Sequence, residues 1–206
     1  MLVGHARKDI TPTEPFYLLG YKTELRNQPA KGIHDHIYIN ALLFYDDKGN
    51  ECFLATGDLL ELEDIVAADI RQKISRKYGI AMDHVIIGVT HDHHSVRDYH
   101  RTWEFGKFSQ TYYDFFVDSF VQAFEDCRET LTDVTVQYGQ QEIFGLYSNR
   151  NHANKPSDNA VSVIKFIADG HAVAGIVNMA VHSTVLGPDN QYLTADLAGN
   201  TCTKLA

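Results

Sequence analysis

Cysteine is scarce in this 206-residue chain, and its three copies, Cys52, Cys127 and Cys202, stand far apart. No C-x-x-C pair occurs, so neither a disulfide framework nor a thiolate zinc site is indicated, and the three read as small buried hydrophobes. Long apolar runs are missing too: no stretch suffices to span a bilayer. The opening Met1-Leu2-Val3-Gly4-His5 has no basic segment followed by an apolar one, so the expected location is intracellular, in the cytoplasm. Concentrated positive charge is also lacking. Eighteen Lys and Arg against 27 Asp and Glu give a formal net charge of −9, with the basic residues scattered, which argues against nucleic acid or an anionic membrane surface as partner. There is no internal repeat, low-complexity segment or clear linker. At 44% hydrophobic and 22% charged, the chain has the makings of an ordinary globular core, one domain or most of a larger one.

Histidine is what the chain has in quantity, 11 copies. The most informative of them follow the apolar run Val85-Ile86-Ile87-Gly88-Val89 as Thr90-His91-Asp92-His93-His94-Ser95. A short buried run ending in closely spaced histidines reads as a strand delivering imidazoles to a site. If strand geometry persists past Thr90, His91 and His93 project from one face and form half of a transition-metal site.

The surrounding pattern alternates strands and helices. Residues 36–45 read as a strand, and the Asp46–Asn50 turn leads into a second strand near Glu51 to Thr56, a hairpin signature. Leu62, Ile65, Val66, Ile70 and Ile74 recur at helical spacing, with Gly79 as the stop. Tyr113, Phe116, Val117, Phe120, Val121, Phe124 and Cys127 form a long apolar helical stripe, the mark of core packing. Strand-like runs follow at 134–138, 160–168 and 172–180, the last two joined at Gly170. From Asp196, a candidate N-cap, a further helix opens. The chain stops about two turns later, so it is expected to be the N-terminal portion of a longer domain. These elements predict a mixed α/β domain, with strands in one or two packed sheets and helices outside.

A second strand end also carries a histidine, His182, after Gly175-Ile176-Val177-Asn178-Met179. Asp58 ends a third apolar strand, and Asp196 closes a similar short segment. Carboxylates in such places commonly orient metal-bound imidazoles. His34 and His36, flanking Asp35, either line the same mouth or form a solvated loop pair. Arg150, in Tyr147-Ser148-Asn149-Arg150-Asn151, either binds a carboxylate or oxyanion or makes an ordinary salt bridge. His94 and His100 read as incidental. His5, His84, His152 and His171 read as structural or exposed.

These segments together resemble the N-terminal part of the neutral/alkaline (non-lysosomal) ceramidase family, over essentially the whole chain. Gly4-His5-Ala6-Arg7-Lys8-Asp9-Ile10-Thr11-Pro12 resembles the opening G-x-x-x-x-D-I-T-P, and Leu19-Gly20-Tyr21 the M-G-Y that follows. Gly32-Ile33-His34-Asp35 through Ala41 resembles G-I-H-x-x-x-Y-x-R-A, with Asn40 where Arg is usual. Thr90-His91-Asp92-His93 resembles T-H-T-H. Asn149-Arg150, Ala180-Val181-His182-Ser183-Thr184 and Ala195-Asp196 resemble N-R-S, A-x-H-P/S-T and S-A-D.

The resemblance implies a zinc-dependent amidase that cleaves the N-acyl bond of ceramide, on a layered α/β/β/α scaffold of which residues 1–206 hold the N-terminal portion. It implies zinc on His91 and His182, proton handling by His93 and an Arg150 that approaches the reacting group. It also implies a Glu, a Tyr and a Ser supplied from farther downstream, so that these residues alone are expected to hold zinc weakly. One departure bears on substrate: where the family has S-G-P-G-G, this chain has His94-Ser95-Val96-Arg97-Asp98, bulkier and charged residues expected to alter the mouth of the site. A soluble amide or ester substrate, or a non-catalytic binding module, stays open beside a lipid-like amide.

Overall fold

The computed structural model describes residues 1–13, 15–102, 107–152 and 154–205. Strand β1 (Leu2–Asp9) is followed by the short β2 (Gly32–Ile33), β3 (Tyr38–Tyr45) and β4 (Glu51–Gly57), then helix α1 (Asp64–Tyr78) and β5 (Val85–Val89). Helix α2 (Gln110–Glu129) comes next. After it come β6 (Thr132–Asp133), β7 (Thr135–Glu142), β8 (Ala160–Ala168), β9 (His171–Met179), β10 (Tyr192–Leu193) and helix α3 (Asp196–Leu205). A five-stranded sheet has the order β5-β4-β3-β1-β6, a three-stranded sheet the order β7-β8-β9, and β2 pairs with β10.

Strand β3 shows why the layers stack as they do. Its sequence is almost unbroken in apolar character, which a strand needs when both faces are covered. Ile39, Ala41 and Leu43 join the core with Phe116, Phe120 and Phe124 of α2 and Val66, Ile70 and Ile74 of α1. Leu42 and Phe44 point the other way, toward Phe166 of β8, and the Phe44 and Phe166 rings meet edge-on at 5.6 Å. The result is a mixed α/β stack with α1 and α2 on one face of the larger sheet and the three-stranded sheet on the other. Strands β3 and β4 form the antiparallel hairpin expected from the Asp46–Asn50 turn, whereas β5 returns parallel to β4 across α1.

Helix α2 starts where Ser109 accepts the backbone N–H of Tyr112 at 3.2 Å and buries its aromatic stripe throughout. Its last turn lies so close to β1 that a Cβ on Gly4 would fall 1.8 Å from the Cys127 carbonyl oxygen; only glycine permits that approach. Helix α1 ends at Gly79 with φ 82°, as its sequence predicts.

Residues 2–9, to which the sequence pattern assigned no element, form β1, which sits between β3 and β6. Ile65 is exposed rather than packed; the buried stripe of α1 is Val66, Ile70 and Ile74. Among the described residues, no helix is long and apolar enough to cross a membrane.

Candidate metal centre

Strand geometry does not persist past Thr90. β5 ends at Val89, and His91 adopts a left-handed backbone with φ 59°, a conformation that costs an L-residue about 1–2 kcal/mol. Main-chain bonds to the end of β4 and to Leu59 just beyond it hold it there. The Thr90 N–H donates to Gly57 O at 3.0 Å and the Asp92 N–H to Leu59 O at 3.0 Å. Asp92 Oδ1 accepts the His94 N–H at 2.9 Å, and Ser95 Oγ accepts the Leu60 N–H at 3.0 Å. The imidazoles of His91 and His93 therefore converge through a turn, not through strand alternation, and their Nε2 atoms lie 3.3 Å apart.

The loop after β9 brings His182 to the same place. Its ring centroid is 5.1 Å from that of His91 and 4.6 Å from that of His93. One nitrogen from each of the three rings lies within 4.8 Å of the others. Arg150 Nη1 is 3.2 Å from His182 Nδ1, so the structure brings His91, His93, His182 and Arg150 together.

Three residues expected to support the site are placed differently. Asp196 opens α3 and accepts the first-turn N–H of Leu197 on Oδ1 at 2.6 Å. Its own φ is 46°, and its carboxylate turns back to the histidine loop, accepting the N–H groups of Val185 and Leu186 at 3.2 Å each and the Ser183 hydroxyl at 3.4 Å. It thus braces the main chain beside His182 rather than an imidazole. Asp58 is bonded to no imidazole among the described residues. It is fully buried, with Oδ2 accepting the Tyr38 N–H at 2.9 Å and Oδ1 without a partner. The acceptor for His91 is instead the Leu60 carbonyl, 2.9 Å from Nδ1. His34 is exposed and pairs with Asp35 at 2.6 Å, outside the three-imidazole cluster; His36 pairs with Asp9 at 2.6 Å.

The stretch His94–Asp98 was expected at the mouth. All five residues are buried, and the segment is stitched to residues 17–19 through Leu19 N–H to Ser95 O and Arg97 N–H to Tyr17 O, each 2.8 Å. It therefore does not line an opening, and its bulk is absorbed by the core.

The electrostatics suit a metal. Because a carbonyl only accepts, His91 carries its proton on Nδ1 and turns the bare Nε2 lone pair toward the cluster. Burial, then the neighbouring His182, His91 and His94 and the Arg150 guanidinium, push the His93 pKa down to about 4. Burial and Arg150 lower that of His182 as well. Convergent imidazole nitrogens, one with its far ring nitrogen anchored on a carbonyl, form a donor set that fits zinc.

The comparison with known proteins adds the lineage. A family model described as neutral/alkaline non-lysosomal ceramidase, N-terminal, matches residues 1–205. The chain belongs to this ceramidase family. Among curated relatives, the neutral ceramidases of Drosophila melanogaster and Drosophila pseudoobscura pseudoobscura are each 23% identical, over 96% of this chain and 31% of theirs. The crystal structure of the neutral ceramidase from Pseudomonas aeruginosa superposes with a TM-score of 0.83 at 22% identity, covering 95% of this chain and 34% of that one. A structure titled "Ceramidase complexed with C2" gives 0.81 at 21% identity, over 95% and 33%. These likenesses establish the layered fold, and the chain spans about a third of each ceramidase it matches.

Several residues of the centre escaped sequence reasoning. His94 is wholly buried, not incidental, and so is most of Arg26. Tyr21 packs its ring against His93 and His94, with centroids 5.0 and 5.4 Å away. The Gly20 within Leu19-Gly20-Tyr21 was the available signal: at φ 129°, a Cβ there would lie 2.3 Å from the His93 carbonyl oxygen.

Proposed function

We propose that this chain forms the histidine side of a zinc-dependent amidase centre that hydrolyses an N-acyl amide, ceramide or a related lipid-like amide. The observation that carries this reading is the meeting of three imidazoles from two separate strand ends, with the His91 tautomer set by Leu60 so that Nε2 is bare. Membership of the ceramidase family supports the substrate class.

His91 and His182 are the residues that would hold zinc. Bound there, zinc supplies Lewis acidity toward the amide carbonyl and lowers the pKa of a water toward about 7. His93, kept neutral by its surroundings, takes a proton from the attacking water and returns it to the leaving amine. Arg150, beside His182, stabilises the oxyanion that develops on the amide oxygen. His91 is exposed, and His93 and His182 are partly so.

Elemental analysis of the purified natural full-length polypeptide tests the reading. About one zinc per chain, lost in both His91→Ala and His182→Ala, supports it and justifies a screen of amide substrates, ceramide included. A well-folded full-length protein without metal refutes it and favours a non-catalytic binding module.

A further inference from the structure

His94 makes contacts that belong to no incidental residue. Its Nδ1 is 3.0 Å from Arg26 Nη2 and 3.2 Å from Asn190 Nδ2, and its Nε2 is 3.0 Å from the Leu186 carbonyl oxygen. Arginine and the amide nitrogen of asparagine only donate, and a carbonyl only accepts. The contacts therefore fix one tautomer: Nδ1 bare, accepting two hydrogen bonds, and Nε2–H donating to Leu186. Around this imidazole, Arg26 also donates to Asn190 O at 3.1 Å and to His93 O at 3.3 Å. The Tyr21 hydroxyl donates to the same Leu186 carbonyl at 2.9 Å.

These bonds join two pieces of chain that are also linked by the Thr194 N–H donating to His94 O at 3.4 Å. One is the turn bearing His91 and His93; the other is the loop that begins at His182 and runs past Leu186 to Asn190. We propose that His94 is a positioning residue, a neutral imidazole strut that pins the His182 loop to the His91–His93 turn and thereby sets the distance between the zinc-holding imidazoles. This rests on the zinc reading given above. Arg26 completes the strut by holding the His93 main chain and the far end of the loop at once. The buried guanidinium meets carbonyls and an imidazole there, so a lysine, with a single point of attachment, could not span them.

Two measurements on the natural full-length protein test the strut. Long-range 15N–1H NMR of the wild-type imidazole should find Nε2 protonated and Nδ1 bare; a proton on Nδ1 overturns the proposal. Zinc affinity by competition with a chromophoric chelator should fall about 10- to 100-fold in His94→Ala, the range seen when a partner outside the ligand set is removed. His94→Gln, whose amide nitrogen can still donate to Leu186, should recover part of that loss. Unchanged affinity in a folded His94→Ala protein overturns the proposal, even if its melting temperature falls, because a merely structural histidine would move only the latter. If the wild type binds no zinc, the functional reading fails instead. The strut is then judged by hydrogen exchange in residues 182–190, which should speed up about tenfold or more in His94→Ala and which, if unchanged, overturns it as well.

Discussion

Replacing Asp58 with Asn should change how stability depends on pH, by an amount set by one buried carboxyl group. Burial is the dominant influence and raises the Asp58 pKa to about 7 from an ordinary 3.8; the Tyr38 N–H and Arg7 pull it down, and Asp35 pushes it up. The native state thus holds the proton more tightly than the unfolded chain. Well below the unfolded pKa of 3.8 both states are protonated and the group costs nothing. As pH rises from about 4 to about 7 the unfolded carboxyl ionises first, so stability drains away, and above about 7 the loss is complete. The gap between about 7 and 3.8 corresponds to about 4 kcal/mol. Asparagine keeps an oxygen to accept the Tyr38 N–H and places an amide where the unpartnered Oδ1 lies, at a penalty of about 1–2 kcal/mol that is independent of pH. Urea denaturation followed by circular dichroism at pH 4, 6 and 8 should show the variant close to or slightly below wild type at pH 4 and ahead by about 2–3 kcal/mol at pH 8. Buried Asp92 is raised as well, partly by Asp58 itself, so the substitution also eases its titration and acts in the same direction. Parallel pH profiles, with a difference constant within about 1 kcal/mol, would mean that Asp58 is ionised in the native protein and the reasoning is wrong.

Phe120, fully buried between α2 and the larger sheet, should cost about 3–5 kcal/mol on truncation to Ala, measured as a shift in urea midpoint with unchanged slope. Gly20→Ala forces a Cβ onto the His93 carbonyl at an unfavourable φ; it should destabilise by more than about 1 kcal/mol and shift the His93 ring resonances, and a neutral result would refute the close packing. Asp196→Ala strips the acceptor from Val185, Leu186 and Ser183. It should lower stability by about 1–3 kcal/mol and speed amide exchange at residues 185 and 186 above all. Arg150→Ala should leave the melting temperature within about a degree or two, because its side chain is exposed; a large drop would give it a structural role.

What the sequence made legible was where strands end and what stands at their ends. The β3–β4 hairpin, both long helices, the β8–β9 pair and the histidines at 91 and 182 all follow from periodicity and turn residues. The alternation rule failed at β1, because it sees each strand alone: Arg7 survives in mid-sheet by laying its guanidinium 3.8 Å over the Tyr38 ring and donating to Thr203, contacts made by elements distant in sequence. The same limit explains Asp58, which bonds to a neighbouring strand rather than an imidazole. It explains His94 too, whose partners lie 68, 92 and 96 residues away. Spacing announces that histidines gather; only tertiary contact decides which of them converge on one another and which face the core.

The left-handed backbone at His91 has a consequence for the order in which things come apart. The conformation persists only while the main-chain bonds from Thr90 and Asp92 to Gly57 and Leu59 hold. Those bonds tie down the chain leaving β5, an edge strand of the larger sheet. Edge regions open at lower free energy than cores, and once opened, His91 has every reason to relax to an ordinary backbone and swing its imidazole away. Gentle heating or dilute urea should therefore erase the three-histidine geometry while helices and sheets still give their full spectroscopic signal. The chain would pass through a state that is folded yet has lost its three-imidazole cluster.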